Sequence, residues 1–228
     1  MIKNILLDLD NTLLDFDKAE RIALSYTLNA LGVEPSEEIL ERYHEINIRQ
    51  WQLLELGEIN RDQVKLLRFQ YLFEELGCPE KAKEAAILYE ERLGLGHHFI
   101  EGAEALLDTL SDTYRLYLVT NGTTSVQRGR IKSSGIKKYF KGIFISELIG
   151  YDKPDARYFE ACFSKISDFR YEESILIGDS LSSDIQGGVN VGIKTIWMNR
   201  KKEENKTELH PDFEVSHLDE IPAILEEL

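Results

Sequence analysis

Short apolar runs alternate with amphipathic segments over most of this chain, and this alternation is the feature that most constrains its fold. The runs lie at Ile2–Asp8, Tyr114–Thr120, Ser174–Asp179 and Ile193–Met198, with a weaker run at Gly142–Ser146. Ile, Leu and Val dominate them, as is typical of parallel strands that are covered on both faces. Segments with helical spacing lie between the runs, at Glu104–Leu110, Ser125–Ser134, Ala156–Ile166 and Ser183–Val189. The pattern predicts an α/β fold with a doubly wound, Rossmann-like parallel sheet.

Residues 17–95 interrupt this alternation, because they contain no convincing strand. Their stretches of helical spacing carry many charges and lie at Ala19–Leu31, Glu37–Leu56, Asp62–Leu76 and Glu80–Leu93. Ser36 and Asn60 stand before two of these stretches and are suitable N-caps. We therefore predict a helical domain at residues 17–95, inserted into an α/β core that comprises residues 1–16 and 96–228.

The formal net charge of −14 argues against a nucleic-acid polymer as the partner. Such a partner requires a basic patch that neutralises its phosphates. The charge does not exclude a small phosphorylated ligand, because a bound divalent cation would reverse the local sign. The sequence therefore leaves small anionic ligands open while it disfavours polymeric ones.

Cysteine content and hydropathy are the sequence features that indicate the cellular location of the protein. Two cysteines in 228 residues, Cys78 and Cys162, are typical of a reduced, cytoplasmic protein rather than of a disulfide scaffold. Only three apolar residues stand between Asn4 and Asp8, which is too few for a signal peptide. No apolar run approaches the roughly 20 residues of a membrane span. We predict a cytoplasmic protein with no membrane partner.

A polar segment follows each of four predicted strands. "DLDNT" follows the first strand, "TNG" follows the second, "GDSLSSD" follows a later one, and a lysine lies in the loop after the weaker run. Ligands of an open parallel sheet bind beyond the carboxyl ends of its strands, where these segments would meet. The side chains expected to converge there are Asp8, Asp10, Thr120, Asn121, Gly122, Lys153, Asp179 and Asp184.

This set of residues indicates phosphoryl chemistry. Four carboxylates cannot crowd together without a cation, and Mg²⁺ is the hard ion that carboxylates and phosphate oxygens hold. No cluster of His and Cys accompanies them, so zinc is disfavoured. Lys153 adds a fixed positive charge, and Thr120 to Gly122 supply donors that suit a phosphoryl group. One carboxylate can attack phosphorus to form an aspartyl phosphate, while another donates and accepts the proton.

The motifs in this order resemble those of the haloacid dehalogenase-like superfamily of phosphohydrolases, over nearly the whole chain. They are Asp8-x-Asp10-x-Thr12, Thr120-Asn121-Gly122, Lys153 before Pro154, and Gly178-Asp179 with Asp184. The resemblance implies that Asp8 is the nucleophile and Asp10 the general acid and base. We further expect the chain to turn at Leu9 and Asp10, with the Thr12 hydroxyl fixing the turn, so that the Asp10 side chain faces the leaving group.

The resemblance also implies the remaining roles in the site. Mg²⁺ would be held by Asp8, by the main-chain carbonyl of Asp10, by Asp179 and by Asp184, the last either directly or through another ligand. The phosphoryl group would be bound by Leu9, Asp10, Thr120, Asn121, Gly122 and Lys153. The catalytic set would be Asp8, Asp10, Thr120 and Lys153.

Within the superfamily, "DNTLLDFDKAE", "TNGTTSVQ" and "DKPDARYFE" resemble the pyrimidine 5′-nucleotidase branch, whose substrates are nucleoside monophosphates. The helical insertion would then be a cap that closes over the site and contacts the leaving group. Phe16, Asn47 and Trp51 are candidates for that pocket. For Trp51, core packing is the default interpretation, and stacking on a base is the alternative that would place it in the pocket.

Other functions are compatible with parts of this pattern. A sugar-phosphate phosphatase or phosphomutase would share the same core and differ only in its cap. A receiver domain, or another non-catalytic phosphoryl-binding protein, also places acids, a Thr and a Lys at the ends of parallel strands. Receiver domains carry the phosphorylated Asp on a later strand and have no helical insertion, so the phosphatase interpretation fits this chain better.

Overall fold

The apolar run that starts the chain forms a central strand of a six-stranded parallel sheet. The computed structural model describes all 228 residues. The strands are β1 (Asn4–Leu7), β2 (Arg115–Thr120), β3 (Phe140–Ile145), β4 (Ser174–Gly178), β5 (Lys194–Met198) and β6 (Phe213–Val215). Their order is β3-β2-β1-β4-β5-β6, and every neighbouring pair is parallel. The predicted doubly wound α/β fold is therefore confirmed.

Successive residues of β1 explain why this strand is apolar from Ile5 to Leu7. Ile5 and Leu7 belong to the apolar cluster on one face of the sheet, whereas Leu6 belongs to the cluster on the other face. Side chains alternate between the faces of a strand, so a sheet covered on both faces favours consecutive apolar residues. Strand β1 is completely buried as a result. The buried Asn4 is the exception, and its Nδ2 donates to Ser174 Oγ at 3.1 Å.

Ten helices accompany the sheet. The first four after β1 are α1 (Phe16–Ala30), α2 (Glu37–Glu55), α3 (Arg61–Glu75) and α4 (Ala82–Leu93). The others are α5 (Ala103–Thr113), α6 (Thr124–Ser134), α7 (Ser146–Ile149), α8 (Ala156–Phe163), α9 (Gln186–Val191) and α10 (Ile221–Glu226). None of them combines the length and the apolar character that a membrane-spanning helix needs.

Helices α1 to α4 form the predicted insertion and build an apolar cluster of their own. The rings of Tyr43, Phe69 and Tyr89 lie at its centre, with centroids 5.1 to 5.4 Å apart. Ser36 and Asn60 cap α2 and α3 as predicted, since each side chain accepts a hydrogen bond from the third residue after it. The domain boundaries at residues 17 and 95 stay a prediction. We call α1 to α4 the cap.

Two chain crossings join the cap to the sheet. Leu14 and Phe99 form an isolated antiparallel bridge there. The Asp15 N–H donates to the His98 carbonyl at 2.7 Å, and the Ile100 N–H donates to the Leu13 carbonyl at 3.0 Å. The outgoing and returning segments thus form a short two-stranded ribbon beside the carboxyl end of β1.

Polar contacts also link the cap to the loops at the carboxyl ends of the strands. Arg61 donates to Ser146 Oγ at 2.9 Å and pairs with Asp152. On the same side, Lys65 pairs with Glu147 at 3.1 Å. The cap therefore lies over the edge of the sheet to which the sequence motifs were assigned.

Three elements were not predicted from the sequence. Strand β6 has only three residues, and helices α7 and α10 have four and six. Segments this short contain too few residues to display a periodicity, so only their packing against longer elements reveals them.

The cap also contacts helix α6 very closely, which generates a stability prediction. A Cβ atom at Gly129 would lie 2.5 Å from the Gly94 carbonyl at the end of α4. We expect Gly129→Ala to lower the free energy of unfolding by about 1 to 3 kcal/mol, because overpacking outweighs the gain in helix propensity. Urea denaturation would measure this change.

Gly94→Ala is the matched control, because a Cβ atom at Gly94 meets its nearest neighbour at an ordinary 3.4 Å. This variant should keep the stability of the parent chain. Equal stability of the two variants would contradict the predicted close contact.

Candidate active site

A buried lysine donates hydrogen bonds to groups at the carboxyl ends of three strands. Lys153 Nζ donates to Asp8 Oδ1 and to Asp184 Oδ1, each at 2.6 Å, and to the Val119 carbonyl at 3.0 Å. Its side chain is 1% exposed. A buried ammonium group is stable only when it is paired and hydrogen-bonded, and all three donors of this one are used. The convergence predicted for these side chains is thus present.

Three carboxylates form a compact acidic group at this position. One oxygen from each of Asp8, Asp179 and Asp184 lies within 4.8 Å of the other two. The Asp179 carboxylate accepts no hydrogen bond from the chain, and neither does the main-chain carbonyl of Asp10. Hard oxygen donors that lack a protein partner suit a divalent cation such as Mg²⁺. The residues present therefore fit the metal site that the sequence predicted.

Burial and the neighbouring charges raise the pKa values of two carboxylates in this group. Burial raises the pKa of Asp8 to about 7, with Asp184 and Asp10 acting in the same direction and Lys153 opposing them. Burial likewise raises the pKa of Asp179 well above its usual range, and the charge of Asp8 adds to the effect. Burial and mutual repulsion disfavour the ionised form of these carboxylates. A bound cation would favour that form, because its positive charge offsets theirs.

The position of Asp184 depends on local backbone geometry. A π-helical turn at Leu181–Ile185 follows β4, and the Ser180 N–H donates to Asp184 Oδ2 at 3.1 Å. A Cβ atom at Gly178 would lie 2.2 Å from the Asp184 carboxyl group. The glycine of the fourth motif is therefore required because the carboxylate packs directly against the end of β4.

Asn121 supports the lysine loop. Its Nδ2 donates to the Lys153 carbonyl and its Oδ1 accepts from the Lys153 N–H, both at 2.9 Å. The Gly122 N–H donates to Ser146 Oγ at 3.2 Å. The side chain of Asn121 and the amide of Gly122, both predicted to bind phosphate, thus have protein partners, whereas the Asn121 N–H donates to no group of the chain.

The turn after β1 is fixed differently from our expectation. Thr12 Oγ1 is buried and has no hydrogen-bond partner, so the prediction that this hydroxyl fixes the turn is wrong. Asn11 has a φ of 58°, a left-handed conformation that Asn tolerates better than most residues. Its Oδ1 accepts from the Phe16 N–H at 3.0 Å and its Nδ2 donates to Asp17 at 2.9 Å. Asn11 therefore joins the turn to the start of the cap.

Main-chain donors are available at this turn. The N–H groups of Leu9 and Asp10 donate to no other group of the chain, whereas the Leu9 carbonyl accepts from Leu13 and Leu14 at 2.9 Å. The Leu9 side chain is buried in the core below the sheet. Leu9, which was predicted to bind phosphate, can contribute to an anion site only through its main chain.

The Asp10 side chain is held by helix α6, which sequence reasoning missed. Gln127 Nε2 donates to Asp10 Oδ2 at 2.8 Å and to Thr120 Oγ1 at 2.7 Å, and Arg130 pairs with Asp10 Oδ1. Arg130 is fully buried, donates to the Gly96 carbonyl at 3.1 Å and lies 5.5 Å from the Phe16 ring centroid. Arg130 thus contacts Asp10 and both segments that lead into and out of the cap.

A cavity of about 220 Å³ lies between the acidic group and the cap. Phe16 and Trp51 line it, as predicted for the substrate pocket, and the guanidinium of Arg61 lies 5.7 Å from the Trp51 ring centroid. Asn47 does not line the cavity, because it is buried between Glu20 and Arg68. No sequence signal distinguished the cap side chains Arg68 and Glu90, which do line it, from ordinary charged residues of amphipathic helices.

Residues 5–198 match the family described as haloacid dehalogenase-like hydrolase. The chain belongs to this family. Its acidic group, the buried lysine and the inserted helical cap therefore lie in a haloacid dehalogenase-like hydrolase, in agreement with the resemblance found in the sequence.

Individual relatives within the family are similar over almost their full length. The pyrimidine 5′-nucleotidase PynA of Streptococcus pneumoniae is 41% identical over 93% of this chain and 90% of that protein. The pyrimidine 5′-nucleotidase YjjG of Escherichia coli is 28% identical over 97% of this chain and 96% of that protein.

A solved structure of the putative HAD-hydrolase YfnB of Bacillus subtilis is also similar. It matches this structure with a TM-score of 0.94 at 36% identity and covers 98% of each chain. That crystal structure is of the magnesium-bound protein and is described as revealing interdomain movement.

The contacts of Arg130 generate a prediction about this hydrolase. Arg130→Met keeps much of the side-chain volume but removes the donors to Asp10 and to the Gly96 carbonyl. We expect a loss of about 1 to 3 kcal/mol in the free energy of unfolding, because a buried pair is broken, and a decrease in kcat of roughly 100-fold, because Asp10 is displaced. Urea denaturation and steady-state hydrolysis of p-nitrophenyl phosphate would measure the two effects.

Arg128→Met is the matched control, since Arg128 is exposed on the same helix. It should leave stability and turnover at the parental level. If Arg130→Met behaved like this control, Arg130 would have no part in holding Asp10.

Proposed function

We propose that this chain is a Mg²⁺-dependent phosphatase that hydrolyses nucleoside 5′-monophosphates through an aspartyl phosphate on Asp8. The main support is that Lys153 pairs with Asp8 at the floor of a cavity that the cap covers. Similarity to two pyrimidine 5′-nucleotidases supports the choice of substrate. A phosphatase requires a nucleophile, a charge that stabilises the phosphoryl oxygens, and a closed pocket, and each has a candidate here.

The proposed metal ligands are Asp8, Asp179, Asp184 and the main-chain carbonyl of Asp10. Bound Mg²⁺ would neutralise the nucleophile and the phosphoryl oxygens, so that two anions can approach each other. The magnesium-bound relative from Bacillus subtilis supports this choice of metal. Lys153 would share the charge of the phosphoryl group, and the free N–H groups of Leu9, Asp10 and Asn121 would donate to its oxygens.

The reaction would proceed in two displacements. In the first, an oxygen of Asp8 attacks phosphorus, the bond from phosphorus to the leaving oxygen breaks, and Asp10 donates its proton to that oxygen. In the second, Asp10 takes a proton from water, the water oxygen attacks phosphorus, and the bond to Asp8 breaks to release phosphate. Thr120 would orient the phosphoryl group and Gln127 would keep Asp10 in position, since Gln127 donates to both.

The cap would determine which leaving group is accepted. Phe16 and Trp51 give the cavity aromatic surface, which suits the flat face of a base better than a sugar rich in hydroxyl groups. A sugar-phosphate phosphatase or phosphomutase with the same core is the alternative that a substrate panel must test. A receiver-like or other non-catalytic phosphoryl-binding protein would show no turnover. The cytoplasmic location stays a prediction from cysteine content and hydropathy.

Replacing the proposed nucleophile tests the mechanism. Asp8→Asn should lower kcat by about 10⁴-fold or more, because an amide cannot form the acyl phosphate. Near-ultraviolet circular dichroism should be unchanged, because the two side chains have nearly the same shape. Steady-state kinetics on a nucleoside monophosphate would measure the loss.

Asp112→Asn, at an exposed position of α5, is the control and should retain parental activity. Trapping of ³²P on the parent chain but not on Asp8→Asn would support the covalent intermediate. Near-normal turnover by Asp8→Asn would refute the role of Asp8.

A substrate panel with and without metal tests the function itself. We expect kcat/KM in Mg²⁺ to be higher for nucleoside 5′-monophosphates than for glucose 6-phosphate or 2-deoxyribose 5-phosphate, because only the nucleotides fill the aromatic part of the pocket. Removal of the metal with EDTA should abolish hydrolysis of every substrate, since the acidic group would then repel the phosphoryl oxygens. Added Mg²⁺ should restore it.

Higher kcat/KM for a hexose phosphate than for every nucleotide would overturn the nucleotidase assignment. Hydrolysis that survives chelation would overturn the metal assignment.

A further inference from the structure

One arginine of the cap contacts the core beside two loops that carry proposed phosphate-binding residues. Arg61, the first residue of α3, donates through Nη2 to Ser146 Oγ at 2.9 Å and pairs with Asp152. Its side chain is 12% exposed and that of Asp152 is 21% exposed. Partly buried ion pairs are screened by salt much less than exposed ones, so this contact can hold the cap and the loops in one arrangement.

The serine that the cap arginine contacts leads to the loop after β2. Ser146 is buried, and its Oγ also accepts from the Gly122 N–H at 3.2 Å. The carbonyl of the same peptide unit, that of Asn121, accepts from Gln127 Nε2 and from Thr120 Oγ1, both at 3.2 Å. This peptide unit is therefore held at both ends. Its orientation determines where the Thr120 hydroxyl and the free Asn121 N–H point.

The acidic partner of the arginine precedes the active-site lysine. Asp152 is followed directly by Lys153, and the Asp155 N–H donates to the Asp152 carbonyl at 2.9 Å, which closes a tight turn around the lysine. Asn121 holds the main chain of Lys153 from the other side. A shift of the Asp152 side chain would therefore move the main chain that carries the ammonium group bonded to Asp8.

The cap presents Arg61 from a fixed position. Asn60 and Gln63 form a reciprocal capping box around it, because each side chain accepts from the main-chain N–H of the other residue, at 3.0 and 2.9 Å. The Arg61 guanidinium also lies 5.7 Å from the ring centroid of Trp51. An arginine at a fixed helix end can make both core contacts only when the cap lies over the sheet as it does here.

We propose that Arg61 is a positioning residue that sets the geometry of both phosphate-binding loops when the cap covers the site. This inference rests on the proposed phosphatase function. Arg61 does not line the cavity, so it has no contact of its own with the phosphoryl group. It acts through Ser146 on the loop of Thr120 and through Asp152 on the loop of Lys153. Coverage by the cap and an organised phosphoryl site are then the same state of the protein.

Inorganic phosphate is the probe that tests this role, because it occupies the phosphoryl site and has no leaving group that could meet the cap. The measured quantity is its inhibition constant against p-nitrophenyl phosphate in Mg²⁺. We expect Arg61→Met to raise this constant by about 10-fold and to lower kcat by about 10- to 100-fold, because the loop donors no longer converge on the phosphate oxygens. Arg61→Lys keeps a cation within reach of Asp152 and should recover part of both losses.

An unchanged inhibition constant in Arg61→Met would overturn the proposal. A residue that only stabilised the cap, or that only contacted the leaving group, would give this result, since the phosphoryl site would keep its geometry. Near-ultraviolet circular dichroism of the variant should match that of the parent chain.

A double-mutant cycle tests the route through the serine. Ser146→Ala removes the acceptor that Arg61 and the Gly122 N–H share, and it should also raise the inhibition constant of phosphate. Because the two residues belong to one network, the increase in the double variant Arg61→Met/Ser146→Ala should be clearly smaller than the product of the two single increases. An increase equal to that product would contradict the connection.

Arg42→Met is the matched control, because Arg42 is another cap arginine and both of its partners, Glu45 and Glu75, also belong to the cap. It should keep the parental inhibition constant and kcat. Parental hydrolysis together with an unchanged constant in Arg61→Met would overturn this inference alone. A parent chain that cleaved neither p-nitrophenyl phosphate nor any nucleotide would contradict the proposed function, and this inference with it.

Discussion

The buried ammonium group of Lys153 is the interaction on which the rest of the site depends. It donates hydrogen bonds to Asp8 and Asp184, and its charge opposes the increase in the pKa of Asp8 that burial and the Asp184 carboxylate cause. Burial acts to lower the pKa of Lys153, but the two carboxylates outweigh it and raise that pKa, so the lysine stays charged. The remaining negative charge of the group is what creates a place for a cation.

The residues around this charge cluster hold it in position. Asn121 clamps the main chain of Lys153 through two hydrogen bonds, and Gly178 leaves room for the Asp184 carboxylate at the end of β4. Gln127 on α6 donates hydrogen bonds to the side chains of both Asp10 and Thr120. These contacts come from separate strand ends, so the sheet acts as the rigid frame that sets the spacing of the charged groups.

The cap lies over this frame, and Arg130 contacts both parts. It contacts Asp10, the Gly96 carbonyl on the returning segment and the Phe16 ring on the outgoing one. A displacement of the cap would therefore move Arg130 and change the position of the Asp10 side chain.

Sequence patterns are sufficient to predict the parallel sheet, a run of helices after its first strand and the meeting of Asp8, Lys153, Asp179 and Asp184, because parallel apolar strands place the residues that follow them at one edge. The partner that each polar group takes depends on packing between distant segments. Arg130 on α6 reaches Asp10 across 120 positions of the chain, and no local pattern records that contact. The same holds for the cap, where spacing identifies charged helix faces but only packing reveals that Arg68 and Glu90 line the cavity.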